Sequence, residues 1–316
     1  MEFEQTAIKT KKVAVEGQVG LLVAGLLVVA TFGDQAISQT VMNPASWFGN
    51  LFQVIGLVFS PTLLFLSAWV IFFWVKQVQV HHFIKWPLLM GVVSFAGYQV
   101  WQGVTITLFM LVASLAGPTS AEALKTQTLE TTLRTVEIPP WYVPVMIALV
   151  LILIVGGSFF CIRWLTKQSP ASLNRLILVA LGAMVVVYAS NECSNLLKNV
   201  WGRYRPVELA AENWQHFTPW YQINGQNMHQ SFPSGHSAQG WMALYLPLFI
   251  APEQMKKRRS WFYFGVLFGS CVALSRVLIG AHFLSDVTIG SLITIILVYV
   301  VTRFLNVTFT GEPLIK

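Results

Sequence analysis

Lys198, Arg205, Ser234, Gly235, His236, Arg276, His282 and Asp286 fall into three short stretches of the C-terminal part of the chain. The first reads Lys198-Asn-Val-Trp-Gly-Arg-Tyr-Arg205-Pro206 and the second Pro233-Ser234-Gly235-His236. The third is Ser275-Arg276, followed by His282 and Asp286. Each lies where an apolar segment meets a polar one. Cations suit a phosphate, an imidazole suits nucleophilic or acid–base work, and a carboxylate suits orienting an imidazole.

The spacing sharpens this chemistry. His282 and Asp286 are four apart, so a helix puts them on one face. A carboxylate that accepts one imidazole proton fixes the tautomer and leaves the other nitrogen free to attack. Arg276 offers a forked pair of donors to phosphate oxygens. Pro233 sets an extended entry, and Ser234 caps a helix whose first amides, on Gly235 and His236, face an anion. Gly235 lets an oxygen come close to the backbone. His236 stands beside that point, placed to protonate a leaving alkoxide. Lys198 and Arg205 add positive charge. Together these parts suit the five-coordinate transition state of phosphoryl transfer. Asp286 is alone among the motifs, with Glu192 and Glu208 the nearest extra carboxylates, so no metal cluster and no cofactor are expected.

The elements that position these residues lie in a membrane. The 316 residues are 55% hydrophobic and only 10% charged. A soluble domain carries about 25% charged residues. The expected fold is all-α and integral to the membrane, one membrane domain over 1–316, with about eight transmembrane helices. The apolar runs are near 17–33, 54–75, 87–116, 142–165, 176–197, 235–252, 261–280 and 286–305. Residues 34–53, 117–141 and 207–232 read as loops on one side. Trp47, Phe48, Leu51 and Phe52 suggest a helix lying at the interface within the first of these.

The net charge of +7 follows topology, not a nucleic-acid surface. Eight spans put 14 of the 20 basic residues on one side, including the run Lys256-Lys257-Arg258-Arg259, which makes that side and both termini cytoplasmic. Lys125, Arg134, Lys198, Arg203, Arg205 and Arg276 are left on the disfavoured side, where a phosphate site explains the four that lie in the motifs. No small-residue cleavage site follows Lys9, Lys11 and Lys12, which fits an uncleaved first helix. Cys161, Cys193 and Cys271 lack metal-ligand or disulfide spacing and read as small buried apolar side chains.

Lys-x6-Arg-Pro, Pro-Ser-Gly-His and Ser-Arg-x5-His-x3-Asp together resemble the signature of the type 2 phosphatidic acid phosphatase (PAP2) superfamily, in its integral membrane lipid phosphatase branch. One such motif is a weak signal; three in order, with every defining position matched, are specific. The resemblance covers 198–286 by motif and the flanking spans by architecture. It implies that His282 is the nucleophile forming a phosphohistidine, oriented by Asp286. His236 would be the general acid, then the general base for water, while Lys198, Arg205, Ser234, Gly235 and Arg276 bind phosphate. It also implies a six-helix core with three helices before the first motif. This chain has five there, so 87–165 reads as an inserted helical hairpin.

The expected activity is metal-independent hydrolysis of a lipid phosphate or diphosphate at the extracellular or periplasmic face of a cell membrane. Phosphatidic acid, phosphatidylglycerol phosphate, a polyprenyl diphosphate such as the undecaprenyl carrier, and lipid A are the candidate substrates. Two alternatives stand beside it. A phosphotransferase would pass the phosphoryl group to a lipid or sugar hydroxyl, and a lipid transporter or flippase would bind phosphate without cleaving it. Lys198 and Arg205 taken alone would read as interfacial anchors. Arg203, His216 and His229 are weaker candidates for substrate contact.

Overall fold

The computed structural model describes residues 2–79, 81–115 and 138–306, with side chains from Gly17 onward. In chain order the helices are α1 (Glu2–Val41), α2 (Trp47–Ile55), α3 (Phe59–Gln77), α4 (His82–Leu115), α5 (Tyr142–Leu165), α6 (Pro170–Trp201), α7 (Pro206–Ala211) and α8 (Gly235–Gly240). A 3-10 helix (Trp241–Phe249), α9 (Met255–Leu278) and α10 (Leu284–Phe304) complete the set. There is no strand among the described residues. Most of the loop expected at 117–141 lies outside them.

Seven helical stretches among the described residues are long and apolar enough to cross a membrane. The eighth expected span, near 235–252, exists in another form. Its 15 residues divide into six of α8 and nine of the 3-10 helix, with Pro247 inside the latter. A 3-10 helix rises about 2.0 Å per residue, so this short segment still reaches roughly 27 Å. That is close to the hydrocarbon thickness of about 30 Å.

The first span differs from its expected limits. The sequence 34–41 is polar enough to read as loop, yet α1 continues through it to Val41. The reason is tertiary: Asp34 and Ser38 are buried against the protein instead of facing lipid or water. The opposite face of α1 exposes Leu21, Leu22, Val28, Val29 and Phe32, as a lipid-facing helix does. A helix is present at the aromatic residues of 34–53 as α2, capped by Ser46, whose Oγ accepts the Gly49 amide; it runs on into α3 within one stretch long and apolar enough to cross a membrane.

The largest core joins α3, α5, α6, the 3-10 helix and α10 through Leu63, Leu176, Val179, Val186, Met242, Tyr245, Leu248 and Val298. The Tyr245 hydroxyl donates to Val179 O at 3.0 Å, so the core's one phenol is satisfied. At the end of this bundle away from the three motifs, Arg175 Nη1 donates to Leu248 O at 2.7 Å and Arg258 Nε to Pro247 O at 3.2 Å. These cations sit at the C-terminal carbonyls of the 3-10 helix, where the helix dipole favours them. Helices α4 and α5 meet through a separate small core of Val104, Leu108, Val112, Tyr142, Met146 and Val150. The cysteines are free; Cys161 is buried, but Cys193 is exposed on α6, so burial does not hold for all three.

Candidate active site

The three stretches meet at one end of the bundle. Helix α6 carries Lys198 in its last turn and stops at Gly202, whose φ of +53° is a left-handed conformation that glycine adopts without strain. Asn227 Nδ2 donates to Gly202 O at 2.8 Å and holds the turn. The chain then runs through Arg203 to Arg205, whose amide donates to Glu208 Oε2 at 2.9 Å, and Pro206 opens α7. Ser234 caps α8 as expected, its Oγ accepting the Ser237 amide at 3.3 Å. It follows a cis Phe232–Pro233 peptide. Gly290 of α10 lies directly against the Ser234 backbone, and a Cβ there would meet Ser234 O at 2.3 Å. Only glycine lets the Pro-Ser-Gly-His turn sit this close to the helix bearing Asp286.

His282 lies in the turn between α9 and α10 and is fully buried. Its Nδ1 is 2.6 Å from Ser231 O. A carbonyl only accepts, so Nδ1 carries the proton and the lone pair is on Nε2. Nε2 is buried and has no protein partner among the described residues. Burial pulls the His282 pKa down to about 3, against the opposing pull of Asp286, so the ring is a neutral base.

Asp286 is near, but the contact is not the direct hydrogen bond that the i, i+4 spacing suggests. Its Oδ2 is 3.8 Å from His282 Nδ1. Ser231 is the intermediary. Its Oγ donates to Asp286 Oδ2 at 2.5 Å, its carbonyl accepts from His282, and its amide donates to Arg203 O at 2.9 Å. Asp286 also accepts the Phe283 amide at 2.9 Å and Arg203 Nη1 at 2.6 Å.

Arg203 is a clamp, not a free cation. It donates to Thr218 O, Ser285 Oγ, Asp286 Oδ1 and Asp34 Oδ2, and its guanidinium sits 4.1 Å from the Phe283 ring centroid. Asp34 reaches in from α1 and also accepts the Ser285 amide and hydroxyl. Sequence reasoning missed Asp34 and Ser231. A carboxylate next to an apolar span was the available signal for Asp34; a lone serine near a motif gave none for Ser231.

The remaining cations gather opposite His282. Arg205 and Arg276 are buried, and Lys198, His236 and both arginines are close enough to act on one another electrostatically. Lys198 Nζ stands 3.4 Å from where a Cβ on Gly235 would be. Arg205 Nε and Nη1, Arg276 Nε and Nη2, and His236 Nε2 are buried without a protein partner. Like charges and unfilled donors together are costly unless an anion joins them. All eight motif residues therefore assemble at one place. His216 and His229 do not join them. Both stack on Tyr204, at 5.4 and 3.4 Å between centroids, and His229 Nδ1 is 3.0 Å from Glu208 Oε2.

A buried imidazole with a free Nε2, beside a set of unfilled cationic donors at the end of a helix bundle, suits the binding of a phosphate. Residues 175–309 match the family described as the PAP2 superfamily. Two curated relatives are similar. The lipid A 4'-phosphatase of Francisella tularensis subsp. novicida is 28% identical over 163 residues, covering 51% of this chain and 69% of that protein. The lipid A 1-phosphatase of Rhizobium etli is 32% identical over 133 residues, covering 40% of this chain and 51% of that protein. No solved structure matches. The segment 175–309 is that of a PAP2-type membrane lipid phosphatase, related to lipid A phosphatases, and the described helices make the chain a multi-pass membrane protein.

Proposed function

We propose that the chain hydrolyses a phosphate ester of lipid A type through a phosphohistidine on His282. The observation that carries this reading is the set of unfilled buried donors on Arg205, Arg276 and His236 beside the unpartnered Nε2 of His282. In the first step a bond forms from Nε2 to phosphorus and the phosphorus–oxygen bond to the lipid breaks. The leaving alkoxide takes a proton from His236. Lys198, Arg205 and Arg276, with the amides of Gly235 and His236 at the Ser234-capped helix start, hold the equatorial oxygens. The phosphorylated ring keeps its Nδ1 proton and is cationic, and the Asp286 carboxylate 3.8 Å away stabilises it. In the second step water gives a proton to His236 and attacks phosphorus, the phosphorus–nitrogen bond breaks, and phosphate leaves.

The names of the two relatives support a lipid A substrate. They name different phosphates, so either position is a candidate here, and phosphatidic acid, phosphatidylglycerol phosphate and undecaprenyl diphosphate remain the comparison substrates. The basic residues at the opposite end of the bundle support a site on the extracellular or periplasmic face. The separate core of α4 and α5, outside the matched segment, supports reading 87–165 as an inserted pair.

The test is phosphate release from each of these lipids in detergent micelles, with His282→Ala as control. Release from lipid A above the other lipids, absent in the variant, is the expected result. Release from another lipid alone removes the lipid A assignment. A phosphorylated acceptor lipid without inorganic phosphate indicates transfer instead of hydrolysis.

A further inference from the structure

Arg276 reaches the pocket with one edge of its guanidinium already taken. Its Nη1 donates to Gln53 Oε1 at 2.7 Å. Its Nε and Nη2 are buried and unfilled. Those two groups form the side-on fork that matches two oxygens of a phosphate. Gln53 is itself buried and lies on α2, far from the matched segment in sequence. Its own amide is oriented in turn, because Nε2 donates to Ser114 Oγ of α4 at 3.3 Å.

We propose that Gln53 is a positioning residue for phosphate binding, acting through Arg276. This rests on the reading of Arg276 as a phosphate ligand. A guanidinium at the end of a flexible side chain rotates freely, and a fork binds two oxygens only in one orientation. By holding Nη1, Gln53 turns the Nε–Nη2 edge toward the pocket before substrate arrives. Its amide does this without adding a negative charge beside the phosphate, as a glutamate would. Ser114 fixes which end of the amide faces Arg276, so the inserted pair contributes to the pocket without touching it.

Protection of the purified full chain against thermal unfolding by vanadate reads phosphate-site affinity without needing turnover. Gln53→Leu is expected to weaken vanadate binding about tenfold, the size expected for a hydrogen bond to a charged group. Gln53→Met, of the same length without the amide, serves if Gln53→Leu does not fold. In an Arg276→Lys background, the same Gln53 change is expected to alter vanadate affinity less than about twofold, because its effect runs through the guanidinium. Wild-type affinity in the Gln53 variant overturns the proposal, and so does a full additional loss on top of Arg276→Lys. Unchanged vanadate affinity in Arg276→Lys alone overturns the reading of Arg276 itself.

Discussion

His282 Nδ1 donates to Ser231 O at 2.6 Å, and this one contact determines which nitrogen keeps its lone pair. The acceptor is a backbone carbonyl, so no side-chain substitution removes it directly. The tautomer is therefore built into the fold, and Asp286 is free to serve another purpose. With its oxygens engaged by Arg203, Ser231 and the Phe283 amide, Asp286 holds a negative charge near a ring that would become positive in the proposed reaction.

That division of labour predicts different outcomes for two substitutions. His282→Ala should abolish turnover and any acid-labile phosphoprotein while the protein still folds. Asp286→Asn should keep the tautomer yet slow phosphoenzyme formation, by about 10² in kcat for loss of a charge opposite the cationic ring. Rapid-quench measurement of the phosphoenzyme separates them. Wild-type rates in Asp286→Asn would remove the carboxylate from the mechanism.

Arg203 should act on stability before it acts on binding. Arg203→Lys leaves Asp34 and Asp286 buried without their forked partner, a change costing about 3–5 kcal/mol. The melting temperature should fall sharply. Asp34→Asn in the Arg203→Lys background should then cost less than Asp34→Asn alone, since the pair is already broken. Equal costs in both backgrounds would mean that Arg203 and Asp34 do not act together.

The buried His282 should also make stability pH-dependent. Its folded pKa is held at about 3 by burial, below the unfolded value near 6.5. Between those values the unfolded chain binds the extra proton, so the stabilisation is complete above pH 6.5 and is lost as pH falls toward 3. The slope is at most about 1.4 kcal/mol per pH unit. Thermal unfolding from pH 7 to pH 4 should show a shallower loss in His282→Ala than in the wild type. Parallel curves would mean that the ring is charged in the folded state.

Activity should persist in EDTA. The carboxylates nearest the pocket are already committed, Asp286 and Asp34 to Arg203 and Glu208 to the Arg205 amide and His229. Loss of phosphate release on chelation, restored by Mg²⁺, would overturn a mechanism run by cations of the protein alone.

The sequence by itself determined the membrane setting and the chemistry. Both are written in local signals: apolar runs long enough to span, and three motifs whose residue types suit a phosphate. It also located the helix start at Ser234, because capping depends on neighbours in the chain. Only the tertiary structure decided how the pocket is held. Asp34 read as loop because polarity along the chain does not reveal burial against Arg203. Ser231 and Gln53 gave no signal because their importance lies in contacts 51 and 223 residues away. The i, i+4 spacing of His282 and Asp286 was right about proximity and wrong about the bond, since His282 precedes α10 and its ring turns toward a carbonyl that a distant segment supplies. Local spacing decides which groups can meet; long-range packing decides which atoms do.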